Sequence, residues 1–513
     1  MAAISLDIYQ LIQRMNRTEK AYFKKFGYKY DKREKRLELL LFDIIDKELR
    51  KVVEVDLSLE DAVLSAAKKM LDIQSISKHK TNLYHDLLSA LRDYEKSKLI
   101  DEKIFEYYQY SQILVKRNLF KEALAFIRKA ENLARYHELF EWEIYMAHQH
   151  AVLLSRLDSS KNGKESVLKL EEVLSSLDYL NEIFEMEKHY FELVYLQKTK
   201  GVLSTEEDLS ILDEKLLEIN LNEASLSARG RLYQLESLST IQILKGNQQG
   251  SFEYYQQIIN LLDTNPHLKK TNLQKYIILM EQYMQMSLLT MNLLDFEEKH
   301  NTFLAIACEN ELEQSWKDNA DIFMLSIHAI LARKLENFEE LEQRFTELLE
   351  RIPFLIPGYR KISTAYYMVS GFFMKNNFEK VKDWFYFIQN NRQVGVRRDV
   401  DLASRIMMLI ACYETKDYML MEYQLKAYRN FISVHGLHKV EDILSSFFGK
   451  LLKETDVLKR KKLYDNYLER LSNHFEEEPS ELPFLGVFDI VAWLMAKTQN
   501  RQFYEVWSER NLA

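Results

Sequence analysis

Between His328 and Phe431 the order of apolar and polar positions repeats three times at a fixed interval. Asn337-Phe338-Glu339 returns as Asn377-Phe378-Glu379 and, loosened, as Asp417-Tyr418-Met419. The apolar positions that follow keep step: Leu341, Val381 and Met421, then Phe345, Phe385 and Leu425, then Leu348, Ile388 and Tyr428, a period of 40 residues. Within each copy the apolar residues fall three and four apart, which predicts an amphipathic helix. Self-similarity at this length marks stacked helix pairs, in which each unit touches only its neighbours. A chain of 513 residues is too long for one compact core, and stacking removes that difficulty.

The same spacing predicts helices along the rest of the chain. Leu6, Ile8, Leu11, Ile12 and Met15 line one face of a first helix. Thr18 then reads as an N-cap, opening a second helix that stops at Gly27, and Leu37 to Ile45 belong to a third. Ser58-Leu59-Glu60-Asp61 has the form of a capping box and opens a helix to about Leu71. A short turn leads to a longer helix, Ser77 to Lys98. A helix, a turn and a longer helix outline a helix-turn-helix, with Lys78, His79, Lys80 and Asn82 as its exposed contacts. Further pairs are expected around Gly246, around Phe296, from Ile443 to His474, and from Val487 to Arg510 after the acidic linker Glu476-Glu477-Glu478-Pro479. Three domains follow: 1–100, a basic helical region; 101–475, the array; and 476–513, a linker and a capping helix pair.

One unit carries a family pattern. Tyr107, Tyr110, Ser111 and Leu114 precede Asn118, Phe120, Ala123, Ile127 and Ala130. This unit resembles a tetratricopeptide repeat, with Asn118 at the family's turn glycine, Phe120 at the following aromatic and Ala123 and Ala130 at the small residues where helices touch. The resemblance covers roughly residues 104–510 and is strongest at Phe120, Phe338, Phe378 and Tyr418. It departs from the family in its period, 40 against about 34, and in lacking most of the helix-end prolines. It implies an α-solenoid of stacked antiparallel pairs that holds an extended peptide or a partner helix in a groove lined by the first helix of each unit. On that resemblance the groove residues are Tyr108, Gln112 and Lys116 in one unit, Arg333 and Lys334 in another, Tyr366 and Ser370 in the next, and Tyr413 with Glu414 in the last.

Composition agrees with an all-α fold. Only 12 glycines and 5 prolines starve a sheet protein of turns, while 30 tyrosines and 28 phenylalanines can fill seams between helices. Net charge is −8 but uneven: between Arg14 and Arg36 ten Lys/Arg stand against three acids, +7, leaving −15 elsewhere. A basic end on an acidic body suits a polyanionic partner, with Lys24, Lys25, Lys78, Lys80 and Asn82 as candidate nucleic-acid contacts. No signal peptide or apolar span is legible, so the expected compartment is the cytoplasm, with no membrane partner.

A search for chemistry returns little. Gly246-Asn247-Gln248-Gln249-Gly250-Ser251 lacks the spacing and lysine of a phosphate loop. His148 and His150 are splayed by about 200° on a helix, and His435 and His438 lack a third ligand nearby. Cys308 and Cys412 read as reduced core thiols. The expectation is a non-enzymatic scaffold without cofactor or metal that binds a protein or peptide. The alternative is a regulator whose first 100 residues bind nucleic acid while the array senses a partner.

Overall fold

The computed structural model describes residues 3–27, 35–51, 57–71, 76–95, 99–157, 161–200, 203, 206–220, 227–306, 311–332, 334–391, 398–435, 439–477 and 488–511. Among these, the regular structure is helical throughout. Chain contacts divide the protein into two compact units, Met1–Asp178 and Tyr179–Ala513.

The first unit begins with α1 (Ala3–Arg14), α2 (Arg17–Gly27), α3 (Lys35–Leu49), α4 (Leu57–Leu71) and α5 (Ser77–Glu95). Helix α2 is capped by Asn16, not Thr18. The Asn16 Oδ1 accepts from the Glu19 amide at 2.8 Å, and Glu19 Oε2 accepts from the Asn16 amide at 2.8 Å, a reciprocal capping box. The apolar faces of α1, α2, α4 and α5 converge with α3 on one core that includes Ile8, Ile12, Phe23, Phe42, Val63 and Leu83. Helices α4 and α5 both pack on α3.

A second core lies among α6 (Ile100–Val115), α7 (Phe120–Tyr136) and α8 (Phe140–Arg156), with Ile104, Ile127, Met146 and Leu154 inside it. Ala123 and Ala130 are fully buried at the α6–α7 seam, where the absence of a larger side chain lets the two helices approach closely. Helix α9 (Lys161–Lys200) follows, and its residues belong partly to each unit.

The second unit holds α10 (Glu206–Asn220), α11 (Ala228–Leu244), α12 (Gln248–Thr264), the short α13 (Pro266–Thr271), α14 (Leu273–Leu289), α15 (Leu293–Leu304), α16 (Glu311–Leu331) and α17 (Phe338–Arg351). Pro266 opens α13 at its first turn, where a missing amide donor matters least. Then come α18 (Gly358–Met374), α19 (Phe378–Asn390), α20 (Arg398–Glu414), α21 (Tyr418–His435), α22 (Lys439–Leu451), α23 (Val457–Glu477), α24 (Ile490–Gln499) and α25 (Phe503–Asn511). Successive helices pair as hairpins, and α14 packs on α16, α16 on α18 and α18 on α20.

One turn joins most of the hairpins, and the sequence explains it. Asn118, Gly246, Met291, Asn376 and Lys416 all have φ between 57° and 72°. In each case the left-handed residue donates to the carbonyl three back, and the next residue donates to the carbonyl five back, as in Asn376 to Phe373 at 3.0 Å and Asn377 to Phe372 at 2.9 Å. Those two bonds satisfy carbonyls that the ending helix leaves open. Glycine meets the left-handed demand without strain at Gly246, and asparagine does so at Asn118 and Asn376. The residue after the left-handed position then caps the next helix: Asn247, Asn292, Asn377 and Asp417 each accept an amide from three residues on.

The last pair, expected as a cap, folds back onto the unit. Phe373 of α18 meets Phe488 and Phe503, ring centroids 5.2 and 5.1 Å away, and Tyr504 donates to the Ile330 carbonyl of α16 at 2.8 Å. Trp493 lies among Tyr413, Phe447 and Tyr464. Helix α24 is buried from Ile490 to Leu494, while Gln499 at its end and Glu505, Glu509 and Arg510 of α25 are exposed.

Cys412 is buried as a free thiol, and burial pushes its pKa up to about 12, which suits a core residue rather than a nucleophile. Cys308 falls outside the described residues, as do Arg333 and His438. No helix among the described residues is long and apolar enough to cross a membrane.

Candidate functional site

Helix α6 needs its apolar side for α7, so Ile104 and Ser111 point inward and the opposite face is left to water. Flanking the buried stripe, Phe105, Tyr108, Gln112 and Lys116 recur three and four apart, hence one above the other. Phe105 lies at the edge of exposure, Tyr108 and Gln112 are half-buried, and Lys116 is exposed. Helix α8 adds Trp142 and Tyr145 from the neighbouring hairpin. The Tyr145 hydroxyl donates to that of Tyr108 at 2.8 Å, with ring centroids 5.3 Å apart and edge-on. Phe105 lies 6.3 Å from both Tyr108 and Trp142. The hydrogen-bonded pairing with Tyr145 raises the Tyr108 pKa to about 12, with burial second. The Tyr108 phenol stays neutral near pH 7, and the two hydroxyls form polar tips beside the aromatic rings.

A buried carboxylate ties α7 to α8 and α9. Glu131 of α7 lies 2.7 Å from His150 Nδ1 of α8 and 2.6 Å from Lys169 Nζ of α9. Arg135 binds Glu143 at 2.8 Å. Burial alone would push the Glu131 carboxyl up, but the hydrogen bonds from His150 and Lys169 outweigh it and hold it below the ordinary range. The rigid floor presents two aromatic pairs, an amide and a cation in a row. Such a surface can stack on apolar side chains and accept or donate hydrogen bonds to an extended backbone.

The remaining groove candidates are placed otherwise. Tyr366 and Ser370 are buried inside α18, where the Ser370 hydroxyl donates to the Tyr366 carbonyl at 3.0 Å. Tyr413 and Glu414 are half-buried and turned to the C-terminal pair: Glu414 accepts from Trp493 Nε1 at 3.2 Å and lies 2.5 Å from Lys497 Nζ, while Tyr413 hydrogen-bonds Tyr464 at 2.6 Å. Lys334 is exposed, 3.7 Å from Glu297. Only Tyr108, Gln112 and Lys116 come together on one exposed face. Trp142 and Tyr145 were missed although Glu138-Leu139-Phe140 repeats Asn118-Leu119-Phe120, because a glutamate rather than asparagine or glycine takes the left-handed position. Their spacing of three residues on an apolar-patterned stretch was the available signal.

The candidate nucleic-acid residues also separate. Lys80 is buried: it pairs with Glu60 of α4 and stands 5.0 Å over the Tyr9 ring. The helix-turn-helix reading expected it exposed, but the core of α1, α4 and α5 encloses it. Lys24 is neutralised by Asp43 at 2.6 Å. Lys25, Lys78 and Asn82 are exposed, and His79 lies beside Glu38 at 3.0 Å. Along α5 the exposed residues Lys78, Asn82, His85, Ser89 and Arg92 share one face, with Asp86 and Asp93 along its border.

Among the described residues no group of His, Cys, Asp and Glu is arranged to hold a metal ion. No family model, curated protein or solved structure matches this chain.

Proposed function

We propose that the chain is a non-enzymatic scaffold of stacked, tetratricopeptide-like helix pairs, and that it binds a peptide segment of another protein on the aromatic face of α6 and α8. The observation that carries this reading is the row Phe105, Tyr108, Gln112 and Lys116, exposed at Phe105 and Lys116 and continued on α8 by Tyr145. Packing of α14 on α16, α16 on α18 and α18 on α20 supports a solenoid, since neighbours in sequence are neighbours in space. A rigid floor limits the ordering entropy that binding must overcome. The favoured ligand is an extended segment with an aromatic or branched side chain for the tyrosines and a carboxylate for Lys116.

Selection of a random displayed-peptide library on the full chain tests this reading. Enriched peptides are expected to share apolar and acidic positions, and to lose at least about 30-fold in affinity for a Tyr108→Ala/Tyr145→Ala variant, as loss of a central aromatic pair requires. Enriched peptides that bind the variant equally, or no enrichment, would remove it.

A second reading rests on the exposed face of α5 that carries Lys78, Asn82 and Arg92. Lys78 and Arg92 can meet phosphates and Asn82 a base edge. Duplex DNA binding by the full chain should then weaken with salt, and Lys78→Ala/Arg92→Ala should flatten the logarithmic salt dependence by about 0.9 for each lost phosphate contact. A slope unchanged by the substitutions would exclude this face.

A further inference from the structure

Helices α6 and α8 run parallel where they meet: Phe105 lies beside Trp142 and Tyr108 beside Tyr145, in the same order along both helices. The face they share therefore has two distinct ends, and charge separates them. At the N-terminal end Asp101 and Glu102 of α6 stand near Glu141 of α8. The Asp101 carboxyl is pushed up from the usual range by partial burial first, then by Glu141 and Glu102, with His137 opposing. Neither Asp101 nor Glu102 has an ion-pair partner among the described residues, and Lys103, two residues from Asp101, points to the far side of the helix. At the C-terminal end Lys116 and Arg117 are exposed, and neither helix carries a carboxylate from Tyr107 to Arg117 or from Ile144 to Arg156. Acids at the helix N-termini and cations at the C-terminus complement the helix dipoles, so the fold tolerates this separation.

We infer that the peptide segment held by this face is bipolar: a cationic side chain lies against Asp101 and Glu141, an apolar or aromatic one on Tyr108 and Tyr145, and a carboxylate against Lys116. The inference rests on the peptide reading of α6 and α8, and adds which charges the ligand carries, in what order and how far apart. Charge complementarity selects this occupant. The gathered carboxylates repel one another until a cation arrives, whereas a nucleic acid or an anionic lipid would bring further negative charge to that end. Asp101 and Lys116 stand 15 residues apart on α6 and its cap, about 22 Å along the axis. An extended segment covers that distance in about seven residues, which sets the spacing between the ligand's cation and its carboxylate.

The peptides enriched on the full chain by library selection, and dependent on Tyr108 and Tyr145, serve as probes. They are expected to carry a lysine or arginine about seven residues from an aspartate or glutamate. Replacing that basic residue by glutamate should weaken binding about tenfold at low salt, as two exposed ion pairs turned into repulsions require, and less at high salt. Asp101→Lys/Glu141→Lys should restore the swapped peptide. The milder Asp101→Asn/Glu141→Gln, which keeps side-chain size, should bind both peptides alike, and circular dichroism checks that each variant is folded. Tyrosine-dependent peptides without a basic position would overturn the inference and leave the peptide reading standing. An Asn/Gln variant that still prefers the basic peptide would do the same. The absence of any tyrosine-dependent peptide would overturn both.

Discussion

Replacing Glu281 with leucine is expected to destabilise the unit Tyr179–Ala513 by about 3–5 kcal/mol, because it leaves Arg360 as an uncompensated buried charge. The two side chains form an ion pair between α14 and α18, with Arg360 buried and Glu281 mostly so. The guanidinium also lies 4.4 Å over the ring of Trp316 in α16, so one cation ties three consecutive first helices. An arginine cannot shed its proton to escape the low-dielectric surroundings. Arg360→Leu has a different consequence. Burial already pushes the Glu281 carboxyl up, with Arg360 opposing it, and removal of the cation lets the acid take up a proton. A carboxyl whose folded pKa lies above its unfolded value contributes stability below the unfolded pKa and loses it as pH rises through the folded one. Relative to the unmodified chain, Arg360→Leu should therefore recover stability as pH falls toward the carboxylate range, whereas Glu281→Leu should not. The double variant Glu281→Leu/Arg360→Leu should be far less damaged than the sum of the single ones, since apolar replacement of a whole buried pair is often neutral. Urea midpoints by circular dichroism at two pH values decide these outcomes, and a silent Glu281→Leu would show that the pair is not buried.

Gly371→Ala is the second large effect, with an expected loss of about 3 kcal/mol from overpacking. A Cβ added at Gly371 in α18 would overlap the Phe338 ring of α17, meeting three of its carbons. That ring is fully buried and stands edge-on to Phe372 at 5.3 Å, so it has no room to withdraw. The conflict is local and reciprocal. Phe338→Leu should lose stability by itself, yet Gly371→Ala should cost much less in that background, because the atoms it strikes are gone. Thermal melts of the two single variants and the double variant measure this coupling. Additive losses would mean that Gly371 matters for a reason other than contact with Phe338.

These two sites differ in how far the sequence announces them. Phe338 was legible as the first aromatic of a repeat, since the residues that define it lie within one helix and recur at 40 residues as Phe378 and Tyr418. Gly371 was not, because the need for a missing side chain arises only when a second helix crosses it. The same division runs through the candidate site. Tyr108, Gln112 and Lys116 share a face by spacing alone, but Tyr145 joins them from 37 residues away through a contact that no local pattern encodes.

What the sequence alone determined is therefore the set of quantities with local causes: helices from three- and four-residue spacing, and turns from asparagine or glycine at left-handed positions. Asn377 and Asp417 were readable as punctuation because capping uses amides three residues away. What tertiary structure decided is which neighbour covers each face. Lys80 has the composition of a surface residue and is buried against Glu60 and Tyr9. Tyr366 and Ser370 match groove positions and are enclosed, while Trp493 of α24 is buried among rings from α20, α22 and α23. Helix α9 carries the apolar pattern of a core element with its leucines in water. A side-chain pattern fixes how a helix is striped; the direction the stripe faces is set by the sum of contacts with segments far along the chain, each too weak and too distant in sequence to be read from the stripe itself.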